Sequence, residues 1–227
     1  MITVDLDRVT VRALNERLHR LPARGAPGQW RIVHPRGKHA IAVGLNAPAT
    51  VVIDGHVGYY AAGMNQQADV TIQGHAGPGV AENIMSGVVR IKGNASQAAA
   101  ATGRGGFVVI EGDASSRCGI AMKGVDIVVG GSVGHNSAFM AQAGRLVVCG
   151  DAGPALGDSI YEAVIYVGGA VAGLGADCIG EDMTPAHLAT LAELLQRAGF
   201  DRDPRRFRRF GSARRLYNFH IDHAGEY

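Results

Sequence analysis

Three cysteines, nine histidines and twenty acidic side chains are the groups through which this chain of 227 residues could do chemistry. Cys118, Cys149 and Cys178 form no C-x-x-C pair, and His220 and His223, the one His-x-x-His spacing, have no cysteine near them in the sequence. A zinc ion or an iron–sulfur cluster needs several such ligands to converge, so the thiols read as buried structural groups. Ser86, Ser115, Ser116, Ser132 and Ser137 lack a histidine and an acid at the spacing of a nucleophilic triad. Gly103-Arg104-Gly105-Gly106 invites a phosphate-binding reading. A dinucleotide fingerprint runs strand, glycines, helix, so that a helix N-terminus meets the pyrophosphate. Here a run of β-formers follows instead, and the glycines read as backbone corners.

Charge is concentrated at one place. From Arg202 to Arg215 seven arginines stand against one aspartate, in a chain whose formal net charge is only +2. Interleaved with Phe207 and Phe210, such a run could pair with phosphates and stack on bases. No second basic region supports a nucleic-acid partner, and arginine and aromatic residues also anchor protein interfaces. Arg205, Arg206, Phe207, Arg208, Arg209, Phe210, Tyr217 and Phe219 are therefore expected to dock a protein partner, from a C-terminal arm over 202–227 that is separable from the rest of the fold.

The elements that must carry these residues follow from an internal repeat. Three β-formers, one variable residue and a glycine recur from Val51-Val52-Ile53-Asp54-Gly55 to Ile165-Tyr166-Val167-Gly168-Gly169, and the glycines Gly55, Gly74, Gly93, Gly112, Gly131, Gly150 and Gly169 fall every nineteen residues without an insertion. The first and third positions are always Val, Ile or Leu, whereas the second and fourth admit Thr71, Arg90, Asp54, Lys92 and Glu111. That is a period of two with one face inward. Val57, Ala76, Ala95, Ala114, Val133, Ala152 and Val171 follow two residues after each glycine, and small residues there imply tight bends and a narrow interior. A unit this short cannot bury itself, so copies must stack. The reading is an all-β, right-handed parallel β-helix of about seven coils, near 34 Å long at about 4.8 Å per coil, with short helical caps at both ends.

On this frame the acids form no catalytic ladder. Lyases and hydrolases built on β-helices need carboxylates on neighbouring coils, but the fourth column mixes Asp54, Gln73, Lys92, Glu111, Gly130, Cys149 and Gly168. Asp113 and Asp151 share another column two coils apart, and the adjacent pair Asp158 and Asp177 reads as turn caps. His56 and His75 stack in one column, with His135 expected three coils further on, and read as surface stacking rather than a metal site.

Residues 1–50 are expected as an N-terminal cap, 51–182 as the β-helix and 183–227 as the C-terminal helix and arm. Thr10 should N-cap a helix burying Leu14, Leu18 and Leu21 and ending at Pro22 and Gly25. Trp30–Val33 and Ala40–Val43 read as strands opening the stack. Thr184-Pro185 starts a second helix whose Leu188, Leu191, Leu194 and Leu195 should cover the last coil. No run approaches the roughly 18 apolar residues of a membrane span. The start Met1-Ile2-Thr3-Val4-Asp5-Leu6-Asp7 is not that of a secretory signal, and three cysteines cannot all pair with one another. A cytoplasmic, membrane-free location is expected.

The rung phrases, with Gly58–Asn65, Val80–Gly87, Arg117–Gly124 and Gly150–Gly153, resemble the GXGXG domain family. That family includes the C-terminal domain of the glutamate synthase large subunit and the C subunit of formylmethanofuran dehydrogenase, and its members form right-handed parallel β-helices. The resemblance is nearest to the stand-alone glutamate-synthase-like subunits of N-methylglutamate synthases, and it extends through Arg214-Arg215-Leu216-Tyr217-Asn218-Phe219. It implies a non-catalytic scaffold that binds no cofactor or metal itself. The implied hetero-oligomeric partners are a class II glutamine amidotransferase-like subunit and a glutamate synthase-like subunit carrying FMN and an iron–sulfur cluster. Position 2 is Ile2, not the nucleophilic cysteine of an amidotransferase, so no catalytic residue carries over. Two alternatives stay open, namely the C subunit of a formylmethanofuran dehydrogenase or formyltransferase complex and an autonomous carbohydrate-active β-helix enzyme.

Overall fold

The computed structural model describes residues 1–22, 24–25 and 28–214. Its strands are β1 (Ile2–Asp5), β2 (Gly28–Val33), β3 (Ala49–Asp54), β4 (Asp69–Ile72), β5 (Val88–Ile91), β6 (Phe107–Ile110), β7 (Lys123–Val129), β8 (Ala143–Val148), β9 (Val164–Val167), β10 (Cys178–Glu181) and β11 (Arg208–Ser212), with helices α1 (Val11–His19) and α2 (Pro185–Ala198). From β1 to β9 the neighbours are parallel, and the sheet closes with β11 antiparallel to both β9 and β10. Val51 pairs with Val70, Val70 with Val89, and so on to Leu146 with Ile165. This is a parallel β-solenoid of about seven coils, as the repeat requires.

Each coil has three segments. The first is the strand, whose inward columns, from Val51 to Ile165 and from Ile53 to Val167, are completely or almost completely buried. The second is a single-residue ladder in which Val57, Ala76, Ala95, Ala114, Val133, Ala152 and Val171 bridge coil to coil. The third alternates in handedness: Ala98, Ala100 and Thr102, and their equivalents one coil away, Arg117, Gly119 and Ala121, all have φ between +51° and +67°. Alternation turns successive amides to opposite neighbours. Ala98 donates forward to Ser116 O (3.0 Å), Ala100 back to Val80 O (2.8 Å) and Thr102 forward to Ile120 O (2.8 Å). Left-handed backbone disfavours a branched Cβ, which explains the small column Ala62, Ala81, Ala100, Gly119, Ala138 and Gly157.

This third segment corrects one expectation. Ala40–Val43 is not a strand but the first copy of the left-handed segment, with Ala40 and Ala42 at φ +53° and +56°. Its in–out alternation mimics a strand in the sequence. No earlier coil exists to accept the Ala42 N–H, and Asn15 of α1 takes that place: its Oδ1 accepts from Ala42 N at 3.0 Å while its Nδ2 donates to Ala40 O at 2.8 Å. The helix is capped by Thr10 as expected, with Leu14 and Leu18 buried.

The second helix also departs from expectation. Rather than covering the last coil, α2 lies along the outer face of the sheet, where Leu191, Leu194, Leu195 and Ala198 pack on Phe107, Val109, Val128, Val147, Tyr166 and Phe207. The outward second column turns from Thr71 and Arg90 to Val109, Val128 and Val147 at just these coils, which creates an apolar flank that needs a cover. Arg90 then donates to Ala198 O at the helix C-terminus (2.9 Å). The open end is closed by β11 and β10. Among the described residues no helix is long and apolar enough to cross a membrane.

Candidate functional site

The repeat glycines lie in one row: Gly93 N donates to Gly74 O, Gly112 to Gly93, Gly131 to Gly112, Gly150 to Gly131 and Gly169 to Gly150, at 2.8–3.1 Å. Their purpose shows in the next column. His56 accepts through Nδ1 from His75 N (2.9 Å), His75 Nδ1 from Asn94 N (2.8 Å), Asn94 Oδ1 from Asp113 N (3.0 Å), Asp113 Oδ1 from Ser132 N (2.7 Å), Ser132 Oγ from Asp151 N (2.9 Å) and Asp151 Oδ1 from Ala170 N (2.7 Å). Every side chain bends onto the amide of the following coil, and a Cβ on that coil's glycine would collide with it. The acceptor column and the glycine column are therefore one device.

That ladder decides several expected residues. Asp113 and Asp151 are backbone acceptors, not paired acids. The column holds Ser132, and His135, three coils beyond His75 as expected, lies three residues after it and outside that column. The His56 and His75 rings stack with centroids 4.9 Å apart. Because each Nδ1 accepts a hydrogen bond, each neutral ring carries its proton on Nε2 and presents a donor there. Such rings are not arranged to ligate a metal. Asp158 accepts from Ala176 N (3.2 Å) on the next coil, and Asp177 pairs with Arg214.

The thiols are separate. Cys118 and Cys178 are buried and Cys149 is half-buried. Burial pushes the Cys118 thiol up to about 12. Burial, with Glu181 and Asp158 adding, pushes Cys178 up to about 11. Burial also raises Cys149, partly offset by the Arg202 guanidinium. Cys149 opens on a shallow cleft lined by Arg202, Asp203, Arg206 and Phe207.

Two polar clusters escaped the sequence reading. Beneath α2, Arg145 forks onto Asp126 (2.6 and 2.8 Å), and Tyr166 OH meets His187 Nδ1 at 2.7 Å. Asp126 and Arg145 are nineteen residues apart, so the repeat alone places them side by side. At the other end Asp5, Asp7 and His34 each bring a possible ligand atom within 4.8 Å of the others. The cluster is already internally paired: His34 lies 2.9 Å from Asp5, and Arg36 lies 2.6 Å from Asp7. The His34 hydrogen bond, chiefly, holds the Asp5 carboxyl below its ordinary range. Finding it required the β1–β2 register, which no repeat announces.

The expected docking arm changes most. Phe207 and Phe210 are buried in the chain's own cores, and β11 is an integral strand. They are corrected from partner anchors to structural residues, because the end of a parallel stack leaves unpaired backbone and exposed apolar columns that these residues cover. The arginines divide: Arg209 pairs with Glu181 (2.7 Å) and Asp182 O, Arg208 reaches Gly169 O (2.7 Å) and Arg205 pairs with Asp203 (2.9 Å). Arg205, Arg206 and Arg208 remain exposed. Tyr217 and Phe219 lie outside the described residues.

Comparison with known proteins places this architecture. No family model matches the chain. Protein GlxC of Rhizobium meliloti (strain 1021) is 56% identical over 228 residues, covering 100% of both chains. A likeness of that extent, running through the acceptor ladder and both end caps, makes this chain a member of the family to which protein GlxC belongs.

Proposed function

We propose that this chain is the structural GXGXG-type subunit of a glutamate synthase-related complex, specifically an N-methylglutamate synthase that converts glutamate and methylamine to N-methylglutamate and ammonia. In this reading it holds a class II glutamine amidotransferase-like subunit and an FMN and iron–sulfur subunit at a fixed separation, and performs no chemistry itself. The observation that carries the reading is the position of the family-like blocks. Gly58–Asn65, Val80–Gly87 and Arg117–Gly124 all fall on the left-handed third segment of their coils, at equivalent or nearly equivalent places. The resemblance is thus to a repeated backbone conformation rather than to scattered glycines. Exposed Arg205, Arg206 and Arg208 are the side chains through which the C-terminal end would meet a partner.

The test is co-expression of this chain with an amidotransferase-like protein and a flavin-binding glutamate synthase-like protein of the same organism, followed by purification through a tag on this chain alone. A stable ternary complex with methylamine-dependent formation of N-methylglutamate is expected. The chain purified alone should be colourless, metal-free and inactive. Turnover by the isolated chain, or a complex active only in formyl transfer, would overturn the assignment.

A further inference from the structure

We propose that the outward face of the third segment between Met85 and Met140 is a docking surface for an α-helix of a partner protein, one whose contact stripe reads apolar, acidic, acidic, apolar. The inference deepens the scaffold reading by naming where the rod is gripped, and rests on that reading only for the source of the helix. Its starting point is a pair of cations that nothing neutralises. Arg104 N donates to Ile84 O and Lys123 N to Gly103 O, both at 2.7 Å, which stacks the two residues in one outward column on neighbouring coils. Like charges set side by side repel. Elsewhere neighbouring coils bring opposite charges together, as in Lys92 with Glu111 (2.7 Å) and Arg145 with Asp126 (2.6 Å). Arg104 and Lys123 are both exposed, and among the described residues neither side chain has an ion-pair or hydrogen-bond partner.

Apolar side chains bracket these cations. Met85 stands in the same column one coil before Arg104 and is 42% exposed. One coil after Lys123, Gln142 N donates to Met122 O (2.8 Å), and exposed Met140 and Gln142 flank buried Ala141. Met140 is likewise 42% exposed. Unbranched methionines conform to whatever covers them. Their burial would supply contact area, and carboxylates set between them would supply the charge that Arg104 and Lys123 lack.

Spacing selects a helix as the occupant. Coils repeat at about 4.8 Å, so Met85, Arg104, Lys123 and Met140 offer four stations over about 14 Å. On an α-helix laid along the rod, positions i, i+3, i+7 and i+10 share one stripe. They fall about 4.5, 10.5 and 15 Å beyond the first, within about 1 Å of each station. An extended strand sets its same-side residues about 6.7 Å apart, and so brings three side chains to four stations.

The probe is a designed helical peptide with Leu at i and i+10 and Glu at i+3 and i+7, followed by fluorescence anisotropy. It should bind the full chain saturably, and the exposed-site double variant Arg104→Glu, Lys123→Glu should weaken binding at least about tenfold. A peptide with Lys in place of both Glu should show the reverse preference. Bound peptide should slow peroxide oxidation of Met85 and Met140 several-fold and leave that of exposed Met1 unchanged. In the co-expressed complex the same double variant should lower recovery of a partner subunit, whereas Arg20→Glu, just past α1, should not. Absence of peptide binding, or binding indifferent to the charge swap, would overturn the proposal. So would protection of both methionines without peptide that grows with protein concentration alongside a dimer in light scattering, which would make the occupant a second copy. A complex that assembles undiminished with the double variant would overturn it and leave the scaffold reading standing. If the unmodified complex never forms, the scaffold reading fails, and peptide binding still decides the docking surface.

Discussion

A Cβ at Gly112 would land on the Asn94 amide oxygen and press on the Gly93 backbone at 3.1 Å. Gly112→Val is therefore expected to lower unfolding stability in urea by about 1–3 kcal/mol. Part of that loss should be recovered in the Asn94→Gly background, because each residue makes the other costly, and coupled neighbours give non-additive double mutants. The repeat makes the glycine row visible, but not its cause, since φ is positive at only one of the seven, Gly55. The cause lies in a neighbouring column that varies among His, Asn, Asp and Ser and conserves only the ability to accept a hydrogen bond. Cysteine labelling offers a second check at this scale. Cys149 should react first with a thiol reagent in the native protein, while Cys118, buried and with its thiol pushed up to about 12, should react only on unfolding.

Elements at the two ends close the stack in different ways, and each makes a prediction. Asn15→Ala leaves the Ala42 N–H and Ala40 C=O of the first coil without their partner, and should cost about 1–3 kcal/mol by thermal or urea unfolding. Phe207→Ala removes a side chain packed between α2 and the sheet, and should cost about 3 kcal/mol or more. Removing 202–227 should accordingly destabilise the last coils rather than leave them folded. The seat of α2 also carries a pH dependence. Partial burial first, and the Arg209 charge second, hold His187 below its ordinary value of 6.5. The unfolded chain then takes up a proton at higher pH than the folded one, so this contribution is complete above about 6.5 and declines as pH falls toward the lower folded value. His187→Gln should flatten stability across that window. Helix caps and apolar spacings were legible in the sequence because Thr10 and Thr184 satisfy local amides. The seat of α2 was written only in the drift of the second column from Arg90 to Val109, Val128 and Val147, which a column-by-column reading exposes and a period-two reading averages away.

For the whole molecule, stacking order and register follow from one number, the nineteen-residue interval, and so the fold was the most legible feature. Its exceptions lie where the repeat ends. Ala40–Val43 has no earlier coil against which to show its left-handed character, and β11 runs antiparallel because a returning chain must cover β9. Partners are less legible, since an interface needs only a surface, and the surface columns are the ones the repeat leaves free. The arginine-rich run illustrates the difficulty: its aromatic members belong to the interior and several of its arginines to the end cap.

The acceptor ladder makes the rod digital. Since each His, Asn, Asp or Ser hands its hydrogen bond to the equivalent residue of the next turn, any turn can follow any other, provided the count is kept. Excision of Val57–His75, one full period, joins His56 to Ala76 and offers the His56 Nδ1 to Asn94 N in place of His75 N. Such a chain should fold, shortened by about 4.8 Å, while excisions of eighteen or twenty residues should not, because they turn inward columns outward. If the rod sets a distance between two partners, evolution and engineering alike can adjust that distance only in whole steps.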